Sequence, residues 1–261
     1  MSDIPRNEFK QAILAGEHQL GLWVSLVSAY SAEIVAGSGF DWLLIDTEHA
    51  PSEVVSVLPQ LQAVAPYPVS PIVRPSWNDK VLIKRHLDQG AQSLLIPYVS
   101  TPEEAQAAVA AMRYPTRGVR GVAGATRAAR FGRVKDYYKR CEEELCLLVQ
   151  VETRQGLDNL ERIAKVDGVD GVFIGPADLA AGLGHLGDIG HPEVQSAIYE
   201  GIRRILACKK APGILAMDEA FARKAMDAGT LFTAVGLDAS VLARETENLA
   251  ARFRKDQGPR F

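Results

Sequence analysis

Cysteine is scarce and charge is close to balance. Three cysteines in 261 residues, Cys141, Cys146 and Cys208, are odd in number and show no CxxC spacing, which excludes a disulfide framework or a structural zinc site and leaves buried thiols. A formal net charge of −3 and a pI near 6.0 draw the chain to neither nucleic acid nor anionic membrane. The first nine residues lack the apolar core of a signal peptide, and no later stretch is long and uncharged enough to span a bilayer; a cytoplasmic location is expected. No Pro/Gly/Ser linker divides the chain, so a single domain over 1–261 is expected. Its 47% hydrophobic content suffices for one large core.

What the chain does contain is a repeat of short apolar runs and longer amphipathic segments. The runs number eight, at 20–25, 42–46, 71–74, 94–98, 145–151, 171–175, 212–216 and 232–236. Each is nearly continuous in apolar character, as strands covered on both faces must be. Helices are expected to start at Ser52, Asn78, Thr101 and His191, which combine capping residues, proline at the first helical position and early acids. Gly90, Gly168 and Gly229 mark helix ends. Eight βα repeats predict an α/β fold of the (β/α)8 TIM-barrel type, whose active sites lie at the carboxyl ends of the strands.

The polar residues at those ends are therefore the candidates. Glu152 closes the fifth run and Asp178 follows the sixth, which puts two carboxylates side by side on one rim. Their alternative is to cap helices or face water. An all-oxygen pair suits Mg2+ or Mn2+ better than zinc or copper, and only two protein ligands leave positions open for substrate. His49 stands in Asp46-Thr-Glu-His-Ala-Pro. A lone histidine is usually structural, but Asp46 and Glu48 are close enough to orient this ring as a general base. Arg74 ends the third strand and has two open roles, a salt bridge to Glu48 or Glu152 and stabilisation of a developing oxyanion. Gln150 shares a strand face with Glu152 and is expected to donate to a substrate oxygen. Pro176 opens a turn whose amides could hold a carboxylate.

Three features are weaker. Residues 182–187, Gly-Leu-Gly-His-Leu-Gly, match GxGxxG by spacing but lack the strand-to-helix context of a dinucleotide site, so a loop over the site is expected. An inserted basic segment at about 117–144 carries eight Lys and Arg between 117 and 140 against Asp136. It is expected as a solvated helix or subunit contact, and as a group able to meet a distal substrate carboxylate at the catalytic rim. None of the eight runs contains a lysine; Lys209 and Lys210 precede the seventh. Breaking a carbon–carbon bond beside a ketone needs an electron sink, and without a Schiff-base lysine a metal is what remains.

Asp46-Thr-Glu-His-Ala-Pro51, Val149-Gln-Val-Glu152 and Ile174-Gly-Pro-Ala-Asp178-Leu, in this order, resemble the HpcH/HpaI class II aldolases over nearly the whole chain. The resemblance implies a pyruvate aldolase that cleaves 4-hydroxy-2-oxo acids reversibly to pyruvate and an aldehyde, in aromatic catabolism. It implies Mg2+ or Mn2+, with Co2+ as a further option, on Glu152 and Asp178. Gln150, Gly175, Ala177 and Asp178 would contact substrate, Arg74 would stabilise the enolate and His49 would act as base. The aspartate that supports the histidine corresponds to Asp88, which ends a helix and could serve only from a neighbouring subunit, leaving Asp46 as the local substitute. A homohexamer is implied, with the last helix, about 238–252, exchanged between subunits. Two other readings stay open: a related barrel lyase acting on phosphoenolpyruvate or an acyl-CoA ester, and a non-catalytic small-acid-binding protein.

Overall fold

Eight parallel strands pair in sequence order and close into a barrel, with the last returning to the first, in a computed structural model that describes residues 3–254. The first half runs α1 Glu8–Ala15, β1 Gln19–Val24, α2 Ala29–Ala36, β2 Trp42–Asp46, α3 Val54–Val64, β3 Ser70–Arg74, α4 Lys80–Asp88, β4 Ser93–Ile96 and α5 Pro102–Met112. The second runs α6 Tyr137–Glu144, β5 Cys146–Val151, α7 Arg154–Asp158, α8 Leu160–Ala164, β6 Gly171–Ile174, α9 Pro176–Gly182, α10 Pro192–Ala207, β7 Ala211–Leu215, α11 Glu219–Asp227, β8 Phe232–Leu237 and α12 Asp238–Phe253. The expected (β/α)8 barrel is the observed fold. Strand limits differ from the sequence reading by a residue or two at most ends.

Helices start as expected at Thr101 and His191, whereas the caps expected at Ser52 and Asn78 lie one residue later, at Glu53 and Asp79. Thr101 and Glu104 form a reciprocal capping box on α5, Asp79 accepts from the Val81 and Leu82 amides at α4, and the His191 ring accepts from Glu193 N–H ahead of Pro192. Gly90, Gly168 and Gly229 all have positive φ, between 94° and 104°. Only glycine adopts that conformation without strain.

Aromatic side chains fill the barrel. Phe9 on α1 plugs the amino-terminal end and packs on Trp42 and Phe232, at ring-centroid distances of 6.0 and 5.8 Å. Trp23 and Phe173 form the next layer, 5.5 Å apart. Rings this large fit only because the facing strands carry glycine: a Cβ at Gly21 or Gly213 would lie 2.1 Å from the Trp42 or Phe232 ring. Apolar residues on the outer strand faces pack against the helices in a second, larger cluster.

The basic insertion corrects an expectation. It follows helix α5, so it emerges at the amino ends of the strands, opposite to the acids. Arg127 Nη1 donates to the Gln89 carbonyl (2.7 Å) and the Ala128 amide to that of Asp88 (3.2 Å). Arg127, Arg130 and Phe131 line a cavity of about 830 Å³ shared with the strand-start residues Gln19, Ser70 and Ser93. From there the insertion cannot reach a substrate at its own catalytic rim. Much of its charge is neutralised locally, since Arg117 pairs with Glu142 at 2.7 Å and Arg140 with Asp3 at 2.7 Å.

Candidate active site

A single chain of polar contacts links the ends of β2, β3 and β5. Asp46 and Arg74 are direct neighbours in the β2–β3 register, which lets the guanidinium fork meet the carboxylate with both teeth. Nε lies 2.9 Å from Asp46 Oδ1 and Nη2 2.7 Å from Oδ2. The remaining tooth, Nη1, lies 2.7 Å from Glu48 Oε2 and 3.5 Å from Gln150 Oε1. The Glu48 contact is an ion pair without hydrogen-bond alignment, because that oxygen has no aligned donor among the described residues. Below, the Trp23 ring faces the guanidinium at 5.1 Å. Arg74 thus has a salt bridge to Glu48, one of the two partners expected, and a stronger one to Asp46.

Gln150 passes the chain on. Its Nε2 donates to Glu152 Oε2 at 2.5 Å, so the group expected to face a substrate oxygen is already committed to the neighbouring acid. The two-residue spacing that puts both on one strand face is the reason. Glu152 Oε1 accepts from the Tyr98 amide at 2.8 Å. Gly175 continues β6 beside Glu152, and a Cβ there would lie 2.5 Å from Glu152 Oε2 and 3.1 Å from Gln150 Nε2. The glycine keeps the acid's place open.

Charge decides what this cluster can hold. Burial drives Glu152 up to about 7, against the hydrogen bonds of Gln150 and Tyr98 and with help from the charges of Asp178 and Glu48. Glu48 is raised too, by burial first, in spite of Arg74. Burial would also raise Asp46, but the hydrogen bonds and charge of Arg74 outweigh it and hold Asp46 below the usual carboxylate range. Among the described residues neither Glu152 nor Asp178 has a basic partner. A buried carboxylate with raised proton affinity and no cation of its own, crowded by a second acid, fits a hard divalent ion. Asp178 lies in the first turn of α9, which begins at Pro176, so the free amides expected there are those of Ala177 and Asp178.

His49 stands at the mouth with two-thirds of its side chain exposed, and its Nε2 is 3.8 Å from Glu48 Oε2. Asp46 does not orient the ring, contrary to expectation. Its oxygens are taken by Arg74, by the Glu48 amide at 2.9 Å and by the His49 amide, so it fixes the main chain that carries the histidine. Asp88 ends α4 as expected and pairs with Arg120 of the insertion at 2.8 Å. Sequence reading missed the Tyr98 amide, the Trp23 face and Asp238, which accepts from the amides of Ser25 and Leu26 and ties the end of β1 to α12. No local motif announces any of the three.

One group of three metal-ligating side chains lies within 4.8 Å among the described residues, and it is His185, His191 and Glu193. His185 Nε2 donates to Glu193 Oε2 at 2.9 Å, and its ring stacks on His191 at 3.5 Å, 16° from parallel. Nitrogen lone pairs lie in the ring planes, so stacked rings aim side by side and not at one ion. These contacts clasp the glycine-bearing loop 182–190 to the start of α10.

Comparison with known proteins gives a consistent picture. The family model described as HpcH/HpaI aldolase/citrate lyase matches residues 19–244. A pyruvate aldolase of Rhizobium etli is 61% identical over 251 residues, 96% of this chain and 99% of that protein. A 4-hydroxy-2-oxo-heptane-1,7-dioate aldolase of Klebsiella pneumoniae subsp. pneumoniae is 58% identical over 248 residues, 95% of this chain and 94% of that protein. The crystal structure of an HpcH/HpaI aldolase/citrate lyase family protein from Burkholderia cenocepacia J2315 superposes with a TM-score of 0.92 at 43% identity, covering 95% of this chain and 99% of that one.

Proposed function

Because the chain belongs to the HpcH/HpaI aldolase/citrate lyase family, we propose that it is a divalent-metal-dependent pyruvate aldolase, a carbon–carbon lyase acting on 4-hydroxy-2-oxo acids. The observation that carries this reading is the acid cluster: Glu152 is buried, raised to about 7 and without a basic partner among the described residues, beside the charge of Asp178. An Mg2+ or Mn2+ ion held by Glu152 and Asp178 would supply Lewis-acid stabilisation of negative charge on the 2-oxo oxygen.

The protein's own groups account for the rest. In the cleavage direction His49 takes the proton from the 4-hydroxyl, the C3–C4 bond breaks, the aldehyde departs, and C3 of the pyruvate enolate is later reprotonated. Arg74, immobilised by Asp46 and backed by Trp23, holds positive charge near the developing oxyanion without reorganising. The amides of Ala177 and Asp178 receive the pyruvate carboxylate, and Gly175 leaves room for it beside Glu152. Gln150 positions Glu152. Asp88 supports the histidine only if a neighbouring subunit brings it there.

A homohexamer that exchanges α12 accords with that helix, which buries only Asp238 and exposes Val241, Leu242, Leu249 and Phe253. Among the described residues no helix is long and apolar enough to cross a membrane, in keeping with a cytoplasmic enzyme.

The test is pyruvate release from a panel of 4-hydroxy-2-oxo acids. Activity should vanish with EDTA and return with Mg2+ or Mn2+, and Glu152→Ala or Asp178→Ala should abolish it. Undiminished turnover in either variant refutes the metal assignment. Turnover confined to phosphoenolpyruvate or an acyl-CoA ester would install the related lyase instead.

A further inference from the structure

At the rim beside the acids, two large aromatic side chains stand in solvent against each other. Trp77, three residues beyond Arg74, is 55% exposed and Tyr98, just beyond β4, is 43% exposed. Their rings lie 5.8 Å apart and 31° from parallel, a tilted pair whose exposed faces together present an apolar surface. β3 and β4 are hydrogen-bonded neighbours, which places the pair on one side of the mouth.

Tyr98 connects this face to the chemistry. Its φ of 58° lies in the left-handed region, a conformation that is strained for a residue with a side chain and persists where the surroundings over-determine it. In that conformation its amide reaches Glu152 Oε1 at 2.8 Å while its ring meets Trp77. That amide contact holds the aromatic pair at the ends of β3 and β4, beside the acid cluster that begins at Glu152. A substrate seated at those acids therefore has the aromatic pair as its wall. The arginines of the insertion lie at the opposite end of the barrel, and within one subunit they cannot offer a distal carboxylate an alternative berth.

We propose that Trp77 and Tyr98 form the platform for the non-reacting part of the aldehyde and select aldehydes with a flat, apolar substituent. This rests on the aldolase reading and names the class of its second substrate. Pyruvate lies on the acid side and touches neither ring. Binding of the aldehyde and exchange of the pyruvate methyl protons are thus separable.

The experiment uses the Mn2+-loaded full-length enzyme and three readouts: kcat/KM for addition of pyruvate to benzaldehyde, the same for acetaldehyde, and deuterium exchange into the pyruvate methyl group followed by NMR. Trp77→Ala should lower kcat/KM for benzaldehyde about fivefold to tenfold, as expected for loss of one aromatic stack. It should leave acetaldehyde and exchange near wild type. Tyr98→Phe, which keeps the ring, should keep the wild-type ratio of the two aldehydes. An unchanged ratio in Trp77→Ala overturns the platform while the aldolase stands. An equal loss for both aldehydes with a smaller mass in light scattering also overturns it, by making Trp77 a subunit contact. Absence of exchange in the wild-type enzyme overturns both the platform and the aldolase.

Discussion

Arg74 grips Asp46 with two parallel hydrogen bonds of 2.9 and 2.7 Å across adjacent strands, and this pair is the fixed point about which the other site residues are arranged. A planar fork can hold Asp46 with two parallel bonds and still present its third nitrogen to Glu48, whereas a lysine ammonium is a compact charge on a flexible stem and cannot reproduce that fixed two-toothed contact while also reaching Glu48. Arg74→Lys should therefore keep the fold by circular dichroism yet lose about two orders of magnitude in kcat. A rise in KM alone, with kcat intact, would remove Arg74 from the chemical step.

Gly175 tests the acid site by steric means. Its φ is −88°, ordinary for any residue, so Gly175→Ala brings no backbone strain and acts only through the Cβ that would sit 2.5 Å from Glu152 Oε2. Metal affinity, read by isothermal titration with Mn2+, should fall about tenfold or more, the size of effect that displaced metal-site neighbours produce. Thermal stability should change little. Unaltered Mn2+ binding would show that Glu152 is not a ligand.

Metal affinity should also depend on pH. Glu152 is raised to about 7, chiefly by burial, so below that value a proton occupies the oxygen that a cation would take. Mn2+ binding should be flat above pH 8 and weaken as pH falls through 7, approaching about tenfold per unit if one proton is displaced. A flat profile from pH 8 to 5.5 would contradict the assignment of Glu152.

His86 predicts an acid sensitivity remote from the site. Its ring is fully buried on α4, neither nitrogen has a partner among the described residues, and burial followed by the Arg85 charge lowers it to about 4. The unfolded chain takes up this proton near 6.5 and the folded one only near 4, so stability contributed by the neutral ring is present above 6.5 and lost as pH falls between those values. The shift corresponds to on the order of 3 kcal/mol at full loss. His86→Leu should flatten urea-unfolding stability between pH 7 and 5 relative to wild type. An unaltered slope would sink this account.

Much of the architecture was legible because it repeats: both faces of each strand are covered, so each strand is a continuous apolar run, and caps such as Thr101 and His191 are local chemistry. The acids were legible because Glu152 and Asp178 follow such runs directly. The insertion was misplaced by one inference, since a segment that follows helix α5 must emerge where strands begin. Of the two acids expected beside His49, Glu48 is there, at 3.8 Å, and Asp46 is not. Asp46 is three residues away in the chain, yet Arg74, 28 residues away, claims its oxygens, and no spacing rule ranks those competitors.

The amino-acid order by itself determined the barrel, the rim on which the polar residues gather, and the oxygen character of the candidate metal ligands, because periodicity, capping and side-chain type are properties of neighbours along the chain. Only the tertiary structure decided that Arg74 is shared between Asp46 and Glu48, that Gln150 serves Glu152, that Tyr98 turns left-handed to offer its amide, and that Arg120 answers Asp88. Those outcomes depend on register between strands and on competition for a limited number of donors in a buried space, which exist only once the barrel has closed.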